Sequence, residues 1–169
     1  MIKVENVTKI FNGKSVLDNV STLFENGKCN LIIGKSGSGK TVLMKCLVGL
    51  HTPDEGYIHF DDRILRHLSK AEKVNLRKDI GMLFQGGALF DSMNVEENIM
   101  FPIGMFQKSD YKTMRKSVDF CLVRVNLGGI NKMMPSELSG GMQKRVAIAR
   151  AIATQPKYLF CDGPNSGLD

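Results

Sequence analysis

The chain has 169 residues, 43% of them hydrophobic, and a net charge of +6, enough for one core and too little for two ordinary domains. No apolar run approaches bilayer-spanning length, and the opening Met1-Ile2-Lys3-Val4-Glu5 lacks a signal-peptide pattern. Cys29, Cys46, Cys121 and Cys161 are far apart with no C-x-x-C spacing, three of them inside apolar runs, so they read as buried thiols of a reducing compartment, and the expectation is one cytosolic unit, soluble or docked on a membrane component.

In chain order, Ile2 to Phe11 and Val16 to Phe24 are strand-like and separated by Asn12-Gly13, a hairpin-turn dipeptide. Asn26-Gly27 leads into a further apolar strand, Cys29 to Ile33. Phe11 has two readings, an aromatic that stacks on an adenine ring or a sheet residue in a core; taken alone it reads as the second. The strand runs into Gly34-Lys35-Ser36-Gly37-Ser38-Gly39-Lys40-Thr41, followed by the helical-looking Val42 to Leu50. This is the G-x-x-x-x-G-K-T phosphate loop in its required context of strand before and helix after. Gly34, Gly37 and Gly39 can take backbone angles that turn successive N–H groups of the loop, those of Lys35, Ser36 and Ser38 included, onto an anion at a helix N-terminus. Lys40 is expected to neutralise the β and γ phosphates and Thr41 to ligate the bridging Mg²⁺.

Pro53 to Gly56 forms a turn and Tyr57 to Phe60 alternates as a strand. Much of the positive charge follows, in Arg63, Arg66, Lys70, Lys73, Arg77 and Lys78, on a helix opened by a Ser69 to Glu72 capping box. Nucleic acid, an anionic membrane face or a solvated helix face would each account for it, and the solvated face is preferred. His51, His59 and His67 fall in a turn, a strand and a helix approach, which argues against a shared metal. Ile80 to Phe84 reads as a short buried strand ending at Gln85, a side chain that reaches Mg²⁺ or a water beside the γ phosphate, or is simply an edge polar group.

From Gly86 to Pro135 the pattern is helical, with Asn94 and Ser109 as N-caps and Tyr111, Met114, Val118, Leu122 and Val125 as an apolar stripe ended by Leu127-Gly128-Gly129. Met93, Met100, Met105, Met114, Met133 and Met134 of this region suit either core filling or an adaptable partner surface. Ser139-Gly140-Gly141 is then a second anion-type turn before a helix rich in alanine and arginine. Two such helix N-termini are excessive for one nucleotide, so the second is expected to serve a nucleotide held by another copy. Tyr158 to Cys161 is an apolar strand with Asp162 at its carboxyl end, where Mg²⁺ is held in phosphate-loop proteins.

With the phosphate loop, Gln85, Leu138-Ser139-Gly140-Gly141-Met142, Asp162 and Ser166-Gly167-Leu168-Asp169 in that order, the whole chain resembles an ABC-transporter nucleotide-binding subunit. The resemblance implies an α/β phosphate-loop NTPase fold with an N-terminal antiparallel β subdomain and a helical subdomain over 86–135 within a single domain 1–169. It makes Leu138 to Met142 the signature motif, Gln85 the Q-loop glutamine, Phe11 the adenine-stacking aromatic and Ser166 to Asp169 the dimer-contacting D-loop. Two copies would sandwich two ATP with Mg²⁺ on Thr41, Gln85 and Asp162, and the helical segment would grip a membrane permease at the cytoplasmic face of the inner membrane. The stretch Phe84 to Val95 and the methionine of the signature look like the ATPases of the Mla and Mce-associated lipid transporters. An ABC-type ATPase acting on nucleic acid is the remaining alternative, and no coiled-coil or zinc insertion speaks for it.

Two departures bear on activity. The residue after Asp162, a glutamate in the family, is Gly163, so hydrolysis is expected to fall by about 10²- to 10⁴-fold while ATP binding survives, and an ATP-gated clamp without turnover becomes the competing reading. The sequence also ends before the family's switch histidine and last strands, which is expected to leave an uncovered sheet edge.

Overall fold

The computed structural model describes residues 1–107 and 109–163. They form two compact units, Met1–Leu76 and the residues from Arg77 onward.

In the first unit, β1 (Ile2–Phe11) and β2 (Lys14–Phe24) form an antiparallel hairpin closed by Asn12 and Gly13, both at positive φ (+50° and +75°). That backbone matches the right-handed twist of the flanking strands, which is why Asn-Gly occupies it. β1 also pairs with β3 (Glu55–Phe60), and β3 with the short β4 (Arg63–Ile64), giving the sheet order β2-β1-β3-β4. Val4, Val7, Ile58 and Phe60 are buried while Lys3, Glu5 and Tyr57 face outward, the alternation expected of a sheet with one wet face. Helix α1 (Lys40–Leu47) buries Leu43, Met44, Cys46 and Leu47; burial lifts the Cys46 thiol to about 11. The basic helix α2 (Lys70–Lys78) begins as the capping box requires, with the Ser69 N–H donating to Glu72 at 2.8 Å and the Glu72 N–H to Ser69 Oγ at 3.3 Å.

Cys29–Ile33 is not a strand. A strand exists only through a ladder partner, and this segment has none among the described residues; Leu31 and Ile33 stand 81% and 82% exposed. Among the described residues the phosphate loop is therefore approached by irregular chain outside any sheet.

In the second unit, β5 (Ile80–Leu83) and β6 (Tyr158–Cys161) pair in parallel, Leu83 opposite Cys161. Three helices, α3 (Val95–Phe106), α4 (Tyr111–Arg124) and α5 (Gly140–Ile152), pack around Val95, Ile99, Ile103, Val118, Cys121, Leu122, Val146 and Ala149. Asn94 caps α3 in a full capping box with Glu97. The cap of α4 is Asp110 and not Ser109: its carboxylate accepts the Thr113 N–H at 2.7 Å, and a charged acceptor there also complements the helix N-terminus. That helix ends at Arg124, before Leu127, and the Leu127 N–H returns to the Leu122 carbonyl at 2.9 Å. Met100, Met114 and Met133 pack on the core, as core filling requires, while Met105 is 61% exposed. Of the cysteines, Cys46 and Cys121 are buried, but Cys29 and Cys161 are exposed, because the apolar runs around them are not enclosed on both faces.

Asn98, fully buried in α3, accepts the Phe90 N–H at 2.8 Å and donates to the carbonyls of Phe90, Met93 and Asn94 at 3.1, 2.9 and 3.1 Å. One amide thus pins residues 90–94 to the helix they precede. Glu96, also buried, binds the Tyr111 hydroxyl and the Arg115 guanidinium, joining α3 to α4.

Candidate functional site

The first unit carries the phosphate loop. Gly37 and Gly39 lie at φ +75° and +89°, a region open to glycine and strained for other residues. A Cβ on Gly34 would stand 2.7 Å from Ser38 Oγ, and one on Gly39 would stand 2.8 Å from the Val16 carbonyl oxygen. The loop therefore lies tight against β2 at Gly39, where glycine is needed for space as well as for angle, while Gly37 needs it for angle alone. Lys40, first residue of α1, folds back so that its ammonium donates to the Gly34 and Lys35 carbonyls at 2.7 and 2.8 Å. Thr41 follows on the same turn of α1. Gly34 through Ser38 are exposed, and the Ser38 N–H donates to the Lys35 carbonyl at 3.2 Å, closing the turn.

Phe11 ends β1 opposite Lys14, the start of the strand whose Val16 meets Gly39. It is 37% exposed, with the Lys9 ammonium 5.3 Å from its ring and His51 edge-on at 5.4 Å. Asp54 steadies this corner: its carboxylate accepts the Ile10 N–H at 2.7 Å and pairs with Lys9 at 3.0 Å, and the Ile10 N–H and Lys9 hold it below the usual carboxylate range. The remaining histidines are engaged separately, His59 with Glu5 at 2.7 Å and His67 with the Tyr57 ring at 5.8 Å.

In the second unit, Gln85 and Asp162 leave the carboxyl ends of β5 and β6, which are paired strands. They are brought to one sheet edge, where open α/β sheets bind ligands. The Asp162 N–H donates to the Leu83 carbonyl at 2.9 Å, extending the ladder to the acid. Gly163, at φ +56°, follows it with no side chain to act as a base. Ser139 caps α5, accepting the Met142 N–H at 3.3 Å; Ser139, Gly140 and Gly141 are all exposed, and no atom stands within 4 Å of where a Cβ on either glycine would lie. The signature turn thus presents open backbone and a helix N-terminus outward. Ser166 to Asp169 lie outside the described residues.

One residue escaped the motif reading. Arg150, late in α5, donates from Nη2 to the Gly87 carbonyl at 2.7 Å and from Nη1 to the Ala88 carbonyl at 2.8 Å, across more than sixty residues of sequence. Burial pushes its guanidinium below the ordinary arginine value. The alanine- and arginine-rich helix hinted at it, but nothing local told this arginine from its neighbours. Beside it an apolar cleft of about 400 Å³ is lined by Phe84, Phe90, Phe101, Phe106 and Ala151. Among the described residues no helix is long and apolar enough to cross a membrane.

Comparison with known proteins agrees with the motif order. The family described as ABC transporter matches residues 17–166. The methionine import ATP-binding protein MetN of Clostridium tetani is 43% identical over all of this chain and 53% of its own length. The intermembrane phospholipid transport system ATP-binding protein MlaF of Escherichia coli is 38% identical over all of this chain and 63% of its own. The chain spans about half to two thirds of these curated relatives. The ADP- and phosphate-bound dimer of the ATP-binding cassette MJ0796 superposes with a TM-score of 0.90 at 33% identity, over all of this chain and 76% of that one. The chain belongs to the ATP-binding domains of the ABC transporter family.

Proposed function

We propose that the chain is the ATP-binding subunit of an ABC transporter, in which two copies close on two ATP molecules and drive a membrane permease. The observation that carries this reading is the pair of anion-type helix N-termini: the tight phosphate loop before α1 and the open, outward-facing Ser139-Gly140-Gly141 turn of α5. One nucleotide needs only the first, and a second copy gives the other its use.

The residues fit Mg-ATP. Gly34, Gly37 and Gly39 shape a tight loop that suits phosphates, and Lys40 is folded over it. Lys40 and the loop amides would bind the β and γ phosphates, Phe11 would support the adenine, and Thr41, Gln85 and Asp162 would hold the magnesium. When bound, the metal neutralises charge between the phosphates. Ser139, Gly140 and Gly141 close over the nucleotide of the other copy. Beside the 86–135 segment, the phenylalanine-lined cleft and exposed Phe101 and Met105 suit a permease contact, which would hold the subunit at the cytoplasmic face of the inner membrane. A lipid cargo is favoured by the Phe84 to Val95 stretch, the signature methionine and the likeness to MlaF; MetN, at 43%, marks amino-acid import as the competing cargo.

Gly163 favours a second reading, an ATP-gated clamp that dimerises without turning over, since no carboxylate follows Asp162. Chromatography of the nucleotide retained after long incubation with Mg-ATP separates the two. Retained ADP supports the coupling ATPase and retained ATP the clamp; no retained nucleotide contradicts both.

A further inference from the structure

The backbone after β5 is held in an uncommon shape. Gly86, Gly87 and Ala88 lie at φ +75°, +80° and +46°, three successive residues in a region that side-chain-bearing residues rarely take. The Gly87 N–H donates to the Phe84 carbonyl at 3.0 Å, closing a turn whose two central residues are Gln85 and Gly86. On its far side the loop is fastened to α5. A Cβ on Gly87 would stand 3.3 Å from that of Ala147, and Arg150, one turn further along the same face, grips the next two carbonyls. Its two nitrogens reach the Gly87 and Ala88 oxygens at 2.7 and 2.8 Å, with the guanidinium 5.7 Å from the centre of the Phe90 ring. The planar guanidinium holds its two parallel donors in a fixed fork, which sets the orientation of both carbonyls more rigidly than a rotatable ammonium does.

We propose that Arg150 is a positioning residue for Gln85. It locks the Gln85 turn to α5, the helix that opens with Ser139-Gly140-Gly141, so that a shift of the signature turn is carried to the glutamine by one rigid element. Ser139 and Arg150 are eleven residues apart, about 16 Å along a helix axis. The proposal rests on the reading of Gln85 as a magnesium ligand given above.

The test compares wild type, Arg150→Gln and Arg150→Lys in two measurements. Amide hydrogen exchange without nucleotide follows residues 85–90, with β5 and the middle of α5 as internal references. Equilibrium binding then measures how much Mg²⁺ strengthens ATP affinity over ATP in EDTA. Losing a charge-assisted pair of bonds should speed exchange of 85–90 in Arg150→Gln about tenfold while the references hold. The magnesium enhancement should fall about threefold or more with metal-free affinity unchanged, and Arg150→Lys should lie between. Wild-type exchange in both variants overturns the proposal. So does faster exchange spread equally through β5 and α5, or a loosened loop with an unchanged magnesium effect. If wild type binds no ATP, the nucleotide reading fails, and the exchange measurement alone decides whether Arg150 holds the loop.

Discussion

Gly39 offers a test of how closely the phosphate loop lies on β2. At φ +89°, with the Val16 carbonyl oxygen 2.8 Å and Leu17 Cδ2 3.0 Å from where a Cβ would stand, it has neither the angle nor the space for alanine. Gly37, at φ +75°, has nothing within 4 Å and lacks only the angle. A left-handed L-residue costs about 1–2 kcal/mol, and forcing a methyl into a packed site costs about 1–3 kcal/mol. Gly37→Ala bears the first cost and Gly39→Ala both. The difference is the steric part alone, and at about 2–4 °C per kcal/mol for a chain of this size, Gly39→Ala should melt roughly 2–12 °C below Gly37→Ala. Thermal melts without nucleotide, followed by circular dichroism, measure it. Equal melting temperatures, or a lower one for Gly37→Ala, would refute the contact between loop and strand.

Other substitutions probe different parts of the account. Asn98→Ala takes the side-chain partner from the Phe90 N–H and the Met93 carbonyl, while the Phe90 and Asn94 carbonyls keep the Met93 and Asn98 N–H groups, and should destabilise the protein by about 1–3 kcal/mol, seen as a lower midpoint in urea; a neutral substitution contradicts the hub. Asp54, its carboxylate held below its ordinary 3.8 by the Ile10 N–H and Lys9, contributes stability that is present above that value and lost as pH falls through the lowered folded one. Wild type should therefore lose stability below about pH 4 more steeply than Asp54→Asn, and parallel curves from denaturation at graded pH would count against the pairing. Gly163→Glu places a carboxylate after Asp162; although φ +56° there is unfavourable to it, ATP turnover should rise by up to about 10²- to 10⁴-fold, and a variant no faster than its parent would contradict the proposal that Gly163 limits hydrolysis.

What could be read from the sequence was what local rules decide. Asn12-Gly13 forms the hairpin because few other pairs tolerate two positive φ angles, and Ser69 with Glu72 and Asn94 with Glu97 start their helices because each satisfies N–H groups within three residues. Gly37 and Gly39 likewise announce a loop whose positive φ angles favour glycine. The errors lie where the outcome depends on distant partners. Cys29–Ile33 has strand composition but no ladder partner among the described residues, and Leu31 and Ile33 are exposed. Cys161 sits in an apolar run on a strand whose other neighbours alternate between buried and open. Arg150 acts on carbonyls more than sixty residues away, through a backbone turn whose positive φ at Ala88 no propensity foretells. The one-residue displacement of the α4 cap, from Ser109 to Asp110, is a contest between two good acceptors that the carboxylate wins.

The central claim is that this chain binds Mg-ATP through the phosphate loop. Its most direct test is the melting temperature with and without Mg-ATP, for wild type and for Lys40→Ala. Ligand at a hundredfold over its dissociation constant adds about 2.7 kcal/mol, roughly 5–10 °C for a chain of this size. The account predicts that shift in wild type and its loss in Lys40→Ala. No shift in wild type, or an equal shift in both, would contradict it.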